Sequence, residues 1–127
     1  MAETLLLEVT DGIAVLTLNQ PARRNPMSEQ MGQELAETLD GIECREDVRV
    51  LVLRGAGESF CAGGDMALIE ANTRREVEAR RQVMRAYYDH YLSLLRLPIP
   101  TIAGMTEKRT FVRLFQNSTS ASAVSMV

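Results

Sequence analysis

The stretch GAGESFCAGGDM, residues 55–66, decides how the rest of the chain is interpreted. It follows the apolar run Val48–Leu53, which has the composition of a buried strand, and it leads into Met66–Ala71, which indicates the start of a helix. Four of the eight glycines lie in this stretch, and a loop without Cβ atoms lets the backbone approach a ligand closely. Gly63 and Gly64 would leave N–H groups free for a carbonyl oxygen or an anion. A tight turn without a ligand is the alternative, because such turns are common in α/β proteins.

The segments upstream of this stretch predict a hairpin followed by a helix. The β-rich runs Leu5–Thr10 and Ile13–Leu18 are joined by Asp-Gly, which is typical of a two-residue hairpin turn. Two prolines predict an irregular loop over residues 20–26. Ser28 is the expected N-cap of a helix that reaches about Cys44. Its buried face is expected to carry Met31, Leu35, Leu39 and Ile42. The strand–helix–strand order predicts an α/β fold.

A second helical pattern extends from about Thr73 to Arg96, and the Pro98–Pro100 segment ends it before another strand begins at Thr101. Its apolar positions fall largely on one face and comprise Val77, Met84, Tyr87, Tyr88, Tyr91, Leu94 and Leu95. Arginines crowd its first part. A solvated charged face explains them, and a surface that binds nucleic acid or the phosphates of a smaller ligand is the alternative.

Composition excludes several classes of function. The formal net charge of −3 gives no reason to expect nucleic acid or an anionic membrane as a partner. No apolar run approaches the ~20 residues that span a bilayer, and the acidic N-terminus does not resemble a secretory signal, so a cytoplasmic location is expected. Cys44 and Cys61 form no metal-binding pattern with the single histidine, His90, and no metal site is predicted.

Three motifs in register resemble the enoyl-CoA hydratase/isomerase (crotonase) superfamily. They are FCAGGDM at residues 60–66, LTLNQPARRNPMS at residues 16–28 and PIPTIA at residues 98–103. The resemblance implies an α/β fold made of crotonase-like ββα repeats, of which this chain has the N-terminal half. It divides the chain into a partial crotonase-like domain, residues 1–104, and a non-matching tail, residues 105–127, which is expected to be irregular.

The resemblance also implies a ligand and a set of residues that bind it. An acyl-CoA thioester would present its carbonyl oxygen to the backbone N–H of Gly64, one of two donors that stabilise an enolate-like oxyanion. The carbonyl of Ala62 would accept from the adenine amine, Asp65 and Met66 would line the thioester and pantetheine channel, and Arg24 would contact a phosphate. Coenzyme A enters as part of the substrate, so no separate cofactor is expected. Members of this family form trimer-based homo-oligomers.

The chain departs from the family pattern after Ala103. The second oxyanion glycine is expected directly after that strand, but the sequence there is GMTEKR, and the family's catalytic glutamates are expected in or beyond this region. Glu107 lies nearby and is interpreted as a solvent-exposed charge. We therefore expect a truncated or frame-altered member of the family. An open half of this fold would expose apolar faces and edges. The alternative to a hydratase or isomerase is a catalytically inactive fragment that retains part of a CoA-binding half-site.

Overall fold

The computed structural model describes residues 4–106 and 113–115, which form a five-stranded mixed sheet and three α-helices. The strands are β1 (Leu5–Thr10), β2 (Ile13–Leu18), β3 (Val50–Gly55), β4 (Thr101–Thr106) and β5 (Arg113–Phe115), and the helices are α1 (Glu29–Glu43), α2 (Met66–Thr73) and α3 (Val77–Leu92). The strands lie side by side in chain order. The central strands β2, β3 and β4 are parallel, while β1 and β5 are antiparallel to their neighbours. The prediction of an α/β fold is confirmed.

The hairpin of β1 and β2 forms where the sequence predicts it. Asp11 and Gly12 have φ angles of 51° and 80°. Positive φ at both central residues matches the twist of a two-residue hairpin turn, and aspartate and glycine adopt it more readily than other residues. The turn sets a register in which Thr10 faces Ile13 and Leu5 faces Leu18.

The hydrophobic core lies between α1 and the sheet. The predicted face of α1 is buried, and it packs with the inward side chains of β2, Ala14, Leu16 and Leu18. At the start of the helix, the Ser28 hydroxyl accepts a hydrogen bond from the Met31 N–H at 3.1 Å. Such a cap contributes about 1 kcal/mol. Both the amphipathic helix and its N-cap are therefore confirmed.

The third strand begins two residues later than its apolar run predicts. Val48 is buried, but the β2–β3 ladder begins only where Ile13 faces Val50. The preceding residue, Arg49, donates its N–H to the carbonyl of Gly12 at 2.7 Å, so it packs against the hairpin turn. Register with the neighbouring strand, rather than local hydrophobicity, determines where β3 begins.

The long helical pattern predicted over residues 73–96 is divided in the structure. The helix α2 ends at Thr73, α3 covers Val77–Leu92, and a 3₁₀ turn follows at Ser93–Arg96. Three side chains predicted on its apolar face are exposed, namely Val77 (56%), Tyr88 (55%) and Leu95 (54%). The helices α1 and α3 approach closely at Gly32, because a Cβ on this residue would lie 2.9 Å from the Tyr91 ring. Tyr87 is the residue of α3 that is buried, so only a small part of the surface of this helix is covered.

The parallel strands bring two loops to the same edge of the sheet. β2 and β3 run in the same direction, so the loop of residues 19–28 and the loop of residues 56–65 both leave that edge. At the other end of the chain, β4 continues to Thr106 and β5 pairs with its first three residues. The division of the chain at residue 104 stays a prediction, and Glu107 and most of the predicted tail lie outside the described residues.

Candidate functional site

The two loops are joined directly at the glycine pair. Met27 donates its backbone N–H to the carbonyl of Gly63 at 2.8 Å, and Met27 and Gly64 form an isolated parallel bridge. The Arg23 guanidinium also reaches the Asp65 carboxylate, with 3.2 Å between the nitrogen and the oxygen. The segments that resemble the two CoA-contacting motifs are thus adjacent in the fold, although about forty residues separate them in the chain.

Gly64 presents an available donor at this junction. It is exposed and follows Gly63, whose φ of 93° few other residues adopt. None of the hydrogen bonds among the described residues uses the Gly64 N–H. A Cβ on Gly64 would meet no backbone atom, since the nearest atom is the Ile69 Cδ1 at an ordinary van der Waals distance of 3.8 Å. The entrance to α2 lies next to this N–H, and the positive end of the helix dipole favours a carbonyl oxygen or an anion there.

The residues that flank Gly64 differ in how strongly they are engaged. The Asp65 carboxylate is the N-cap of α2 and accepts the Ala67 N–H at 3.2 Å, in addition to its ion pair with Arg23. Met66, the first residue of α2, is 73% exposed, and Ala62 is also exposed. Ala62 and Met66 therefore border open space, while Asp65 helps to hold the loop in place.

Arg24 lies on the outer side of the first loop. It has a left-handed backbone with φ 61° and donates its N–H to the carbonyl of Pro21 at 3.1 Å. That bond closes a 3₁₀ turn at Pro21–Arg23, where the prolines predicted irregular structure. The Arg24 side chain is exposed and makes no ion pair within the described residues. Arg24 is thus available to an anion, whereas its neighbour Arg23 is paired with Asp65.

The sequence did not single out Asn25, yet this residue connects the two loops. Its side chain is fully buried and its φ is 53°. The side-chain amide donates to the carbonyls of Ala56 at 3.0 Å and Ser59 at 2.8 Å, and its oxygen accepts the Gln20 N–H at 2.7 Å. The tolerance of asparagine for positive φ is the signal in the sequence that could have indicated this role.

Two tyrosines of α3 donate hydrogen bonds to the first loop, residues 19–28. The Tyr87 hydroxyl donates to the carbonyl of Met27 at 2.8 Å, and the Tyr91 hydroxyl donates to the carbonyl of Ser28 at 2.6 Å. Burial is the main cause that raises the pKa of both hydroxyls above their usual range. Both therefore stay protonated at neutral pH and act as donors. Their spacing on the helix predicted core packing and not this contact.

A cavity of about 310 Å³ lies beside the joined loops. Its polar walls include the Arg23–Asp65 pair, and Glu29 and Arg75 approach each other on another side at 4.0 Å. The Gln20 Oε1 atom is buried and has no hydrogen-bond partner within the described part of the chain. The walls of this cavity therefore carry charged groups that are paired with one another and one amide oxygen that has no partner among the described residues.

Neither a metal centre nor a membrane span is found over the residues that the structure describes. No group of three or more histidine, cysteine or acidic side chains in residues 4–106 and 113–115 is arranged to hold a metal ion. None of the helices in these same ranges combines the length and the apolar character needed to cross a bilayer. The Cys61 thiol accepts the Gly63 N–H at 3.4 Å and packs beside the core.

Comparison with known proteins identifies the family. The sequence model of the enoyl-CoA hydratase/isomerase family matches residues 8–108. The chain belongs to the enoyl-CoA hydratase/isomerase family. The match includes all three motifs that carry the resemblance, which is thereby confirmed, and both loops of the candidate site lie within it.

The enoyl-CoA hydratase/isomerase chain is similar to several relatives over most of its own length. It is 39% identical over 108 residues to a Thermus thermophilus protein whose name is that of an enoyl-CoA hydratase, covering 79% of this chain and 40% of the relative. It is 36% identical over 106 residues to the 1,2-epoxyphenylacetyl-CoA isomerase of Escherichia coli, covering 83% of this chain and 40% of the relative. The crystal structure of an enoyl-CoA hydratase/isomerase from Xanthobacter autotrophicus superposes with a TM-score of 0.74 at 31% identity, covering 82% of this chain and 39% of that one.

These comparisons define the fold of the chain and the extent of the match. The structural similarity confirms a crotonase-like architecture over about four fifths of the chain. The chain spans about 40% of the length of the relatives that it matches.

Proposed function

We propose that this chain binds an acyl-CoA thioester with the carbonyl oxygen on the Gly64 N–H. The reaction of the whole protein would be hydration of a 2-enoyl-CoA or a related enolate chemistry. The observation that carries the proposal is the exposed Gly64 N–H, which has no acceptor within the described residues and lies where two family motifs meet. A fixed donor in such a place stabilises negative charge that develops on the thioester oxygen during reaction.

The other residues predicted for the site receive their roles from the same proposal. Ala62 presents its carbonyl to the adenine amine, and the unpaired Arg24 guanidinium contacts a phosphate. Met66 borders the thioester channel, and Asp65 supports that wall through its bonds to Arg23 and to the start of α2. The name of the Escherichia coli relative specifies a coenzyme A ester, which supports this class of substrate.

A second candidate is a catalytically inactive half-site. After Ala103, the sequence GMTEKR does not supply the glycine that the family uses as second oxyanion donor. The chain also covers only 40% of the relatives' length. In this candidate function the chain binds the CoA thioester through the same loops but does not turn it over, because a second donor and the catalytic acids are needed for the chemistry.

The proposal includes the cellular context that the sequence predicts. The protein acts in the cytoplasm and requires no separate cofactor, since coenzyme A arrives with the substrate. The family's trimer-based homo-oligomer is the proposed assembly of the whole protein. Nucleic acid is not among the proposed partners, because the net charge is −3.

Hydration of crotonyl-CoA tests the proposal and separates the two candidates. The purified chain is incubated with crotonyl-CoA, loss of the enoyl absorbance is followed, and thioester binding is measured by calorimetry. Gly64→Pro removes the N–H, and Gly64→Ala retains it, with 3.8 Å of space to the nearest atom. We expect any hydration rate to fall about a hundredfold in Gly64→Pro, which is typical of losing one oxyanion donor, and to fall much less in Gly64→Ala.

Each outcome has a definite meaning. Hydration that depends on the Gly64 N–H supports the enzyme, whereas hydration that is unchanged in Gly64→Pro contradicts the role of this residue. Thioester binding without hydration, in a chain that is folded by circular dichroism, supports the inactive half-site. A folded chain that does not bind crotonyl-CoA contradicts both candidates.

A further inference from the structure

We infer that Asn25 is a positioning residue, whose buried amide holds the two loops together so that the Gly64 N–H faces the site. The inference rests on the proposed function for the role of Gly64. Asn25 itself does not contact the open space beside Gly64, because its side chain is fully buried. Its effect passes through the backbone of both loops.

The Asn25 amide donates both of its N–H groups across the loop interface and accepts a hydrogen bond within its own loop. Its nitrogen donates to the carbonyls of Ala56 and Ser59, at 3.0 Å and 2.8 Å, and both carbonyls belong to the segment that follows β3. Its oxygen accepts the backbone N–H of Gln20 at 2.7 Å, at the start of the loop that contains Asn25 itself. One side chain thereby satisfies three backbone groups that would otherwise compete for other partners.

The packing around these bonds leaves the loops little freedom. A Cβ on Gly57 would lie 2.8 Å from the Pro21 Cβ, so the Gly57 backbone packs directly against the Pro21 ring of the other loop. A Cβ on Gly55 would lie 2.5 Å from the carbonyl oxygens of Ser59 and Phe60, so the second loop folds back over the end of β3. Loss of the Asn25 amide would leave the half-buried carbonyls of Ala56 and Ser59 without these donors, which costs free energy in the closely packed loops.

The connection to Gly64 is short. Two residues after Asn25, the Met27 N–H donates to the carbonyl of Gly63 at 2.8 Å. That bond orients the peptide group between Gly63 and Gly64, which carries the Gly64 N–H. The Asn25 amide fixes the loop on one side of Met27, and the Ser28 cap of α1 fixes it on the other. Loss of the amide releases the Met27–Gly63 bond and lets the Gly64 peptide rotate.

Hydrogen exchange and binding measurements on Asn25→Gly test this role. Glycine adopts the φ of 53° freely, so the variant removes the amide without straining the backbone. Asp11→Gly is the matched control, because Asp11 has a similar φ of 51° but lies in the β1–β2 turn.

Amide exchange of Met27 and of Leu53 in β3 is measured by NMR without ligand. Affinities for crotonyl-CoA and for free coenzyme A are measured by calorimetry. Asn25→Ser, which is uncharged and too short to replace the amide, is measured in the same way and decides the question if Asn25→Gly does not fold.

We expect Met27 to exchange about tenfold faster in Asn25→Gly, with Leu53 unchanged and with no effect of Asp11→Gly on Met27. The preference for crotonyl-CoA over free coenzyme A should be lost, while affinity for free coenzyme A changes less than about twofold. Unchanged Met27 exchange overturns the inference. An equal rise at Met27 and Leu53 also overturns it, because that result indicates a general loss of stability. A wild-type chain that shows no preference for the thioester contradicts the proposed function alone, and the exchange of Met27 still decides the role of Asn25.

Discussion

At the scale of single residues, Glu34 ties the start of the chain to α1. Its carboxylate accepts hydrogen bonds from the backbone N–H of Thr4 at 2.9 Å, from the Thr4 hydroxyl, and from the Gln30 amide at 3.0 Å. Burial acts to raise the pKa of Glu34, but these hydrogen bonds favour the charged form and together lower it below its ordinary value of 4.5. The charged form of Glu34 therefore stabilises the fold.

This shift predicts how stability depends on pH. The folded protein has the lower pKa, so the contribution of Glu34 is present above pH 4.5, the ordinary value, and is lost as the pH falls through the folded pKa. Urea unfolding between about pH 6 and about pH 3 measures it. We expect Glu34→Gln to be less stable than wild type at the upper end of this range and to converge with it at the lower end. Glu37→Gln, an exposed position on the same helix, is the control. A Glu34→Gln curve parallel to wild type would contradict this account.

At the scale of elements, α3 determines the conformation of a loop that is distant in sequence. Tyr87 and Tyr91 donate to consecutive carbonyls, those of Met27 and Ser28, and the two rings pack at 4.9 Å between centroids. These carbonyls lie where the first loop enters α1, next to the bond between Met27 and Gly63. The helix thus supports the candidate site without supplying any of its predicted residues.

Removal of single hydroxyls tests this support. We expect Tyr87→Phe and Tyr91→Phe each to lower the free energy of unfolding by about 1 kcal/mol, because a backbone carbonyl loses its donor while the ring packing stays. Tyr88→Phe is the matched control, since Tyr88 is 55% exposed, and it should change stability by less than about 0.5 kcal/mol. Chemical unfolding of the three variants gives the comparison. An equal loss in Tyr88→Phe would show that the two hydroxyl contacts are not the cause.

At the scale of the whole molecule, apolar surface remains open on one side of the described fold. A cavity of about 340 Å³ there has almost entirely apolar walls, formed by Leu53, Tyr91, Leu92, Leu94, Leu95, Thr101 and Ala103. Leu92 and Leu95 are each more than half exposed. Open apolar surface of this kind favours self-association.

Two leucines of this region should respond in opposite ways to the same substitution. Leu95 is 54% exposed and Leu97 is 2% exposed. We expect Leu95→Gln to raise the soluble concentration with little change in unfolding free energy, because the side chain is mostly in water already. Leu97→Gln should cost several kcal/mol, because it buries an amide in the core. Static light scattering and chemical unfolding measure the two effects. Similar behaviour of the two variants would contradict the burial described for them.

Much of the fold could be predicted from local patterns in the chain. The Asp-Gly turn, the apolar spacing of α1 and the Ser28 cap each depend on residues only a few positions apart, and all three are confirmed. The ends of a strand that depend on pairing with a neighbouring strand could not be predicted as accurately from the sequence, and β3 begins two residues later than its apolar run indicates. The motif singled out Gly64 as a backbone donor, but its position at the junction of the two loops is visible only in the structure.

The contacts between residues that are distant in the chain became visible only in the folded structure. The sequence could not show that Arg23, rather than Arg24, pairs with Asp65, or that the Asn25 amide reaches Ala56 and Ser59. The family, the succession of elements from β1 to β3 and the glycine loop follow from the amino-acid sequence alone, because turns, caps and helical faces are encoded over short stretches. The partners of a charged or amide group depend on which loops the parallel strands bring together, and that arrangement arises only when the sheet and its helices pack.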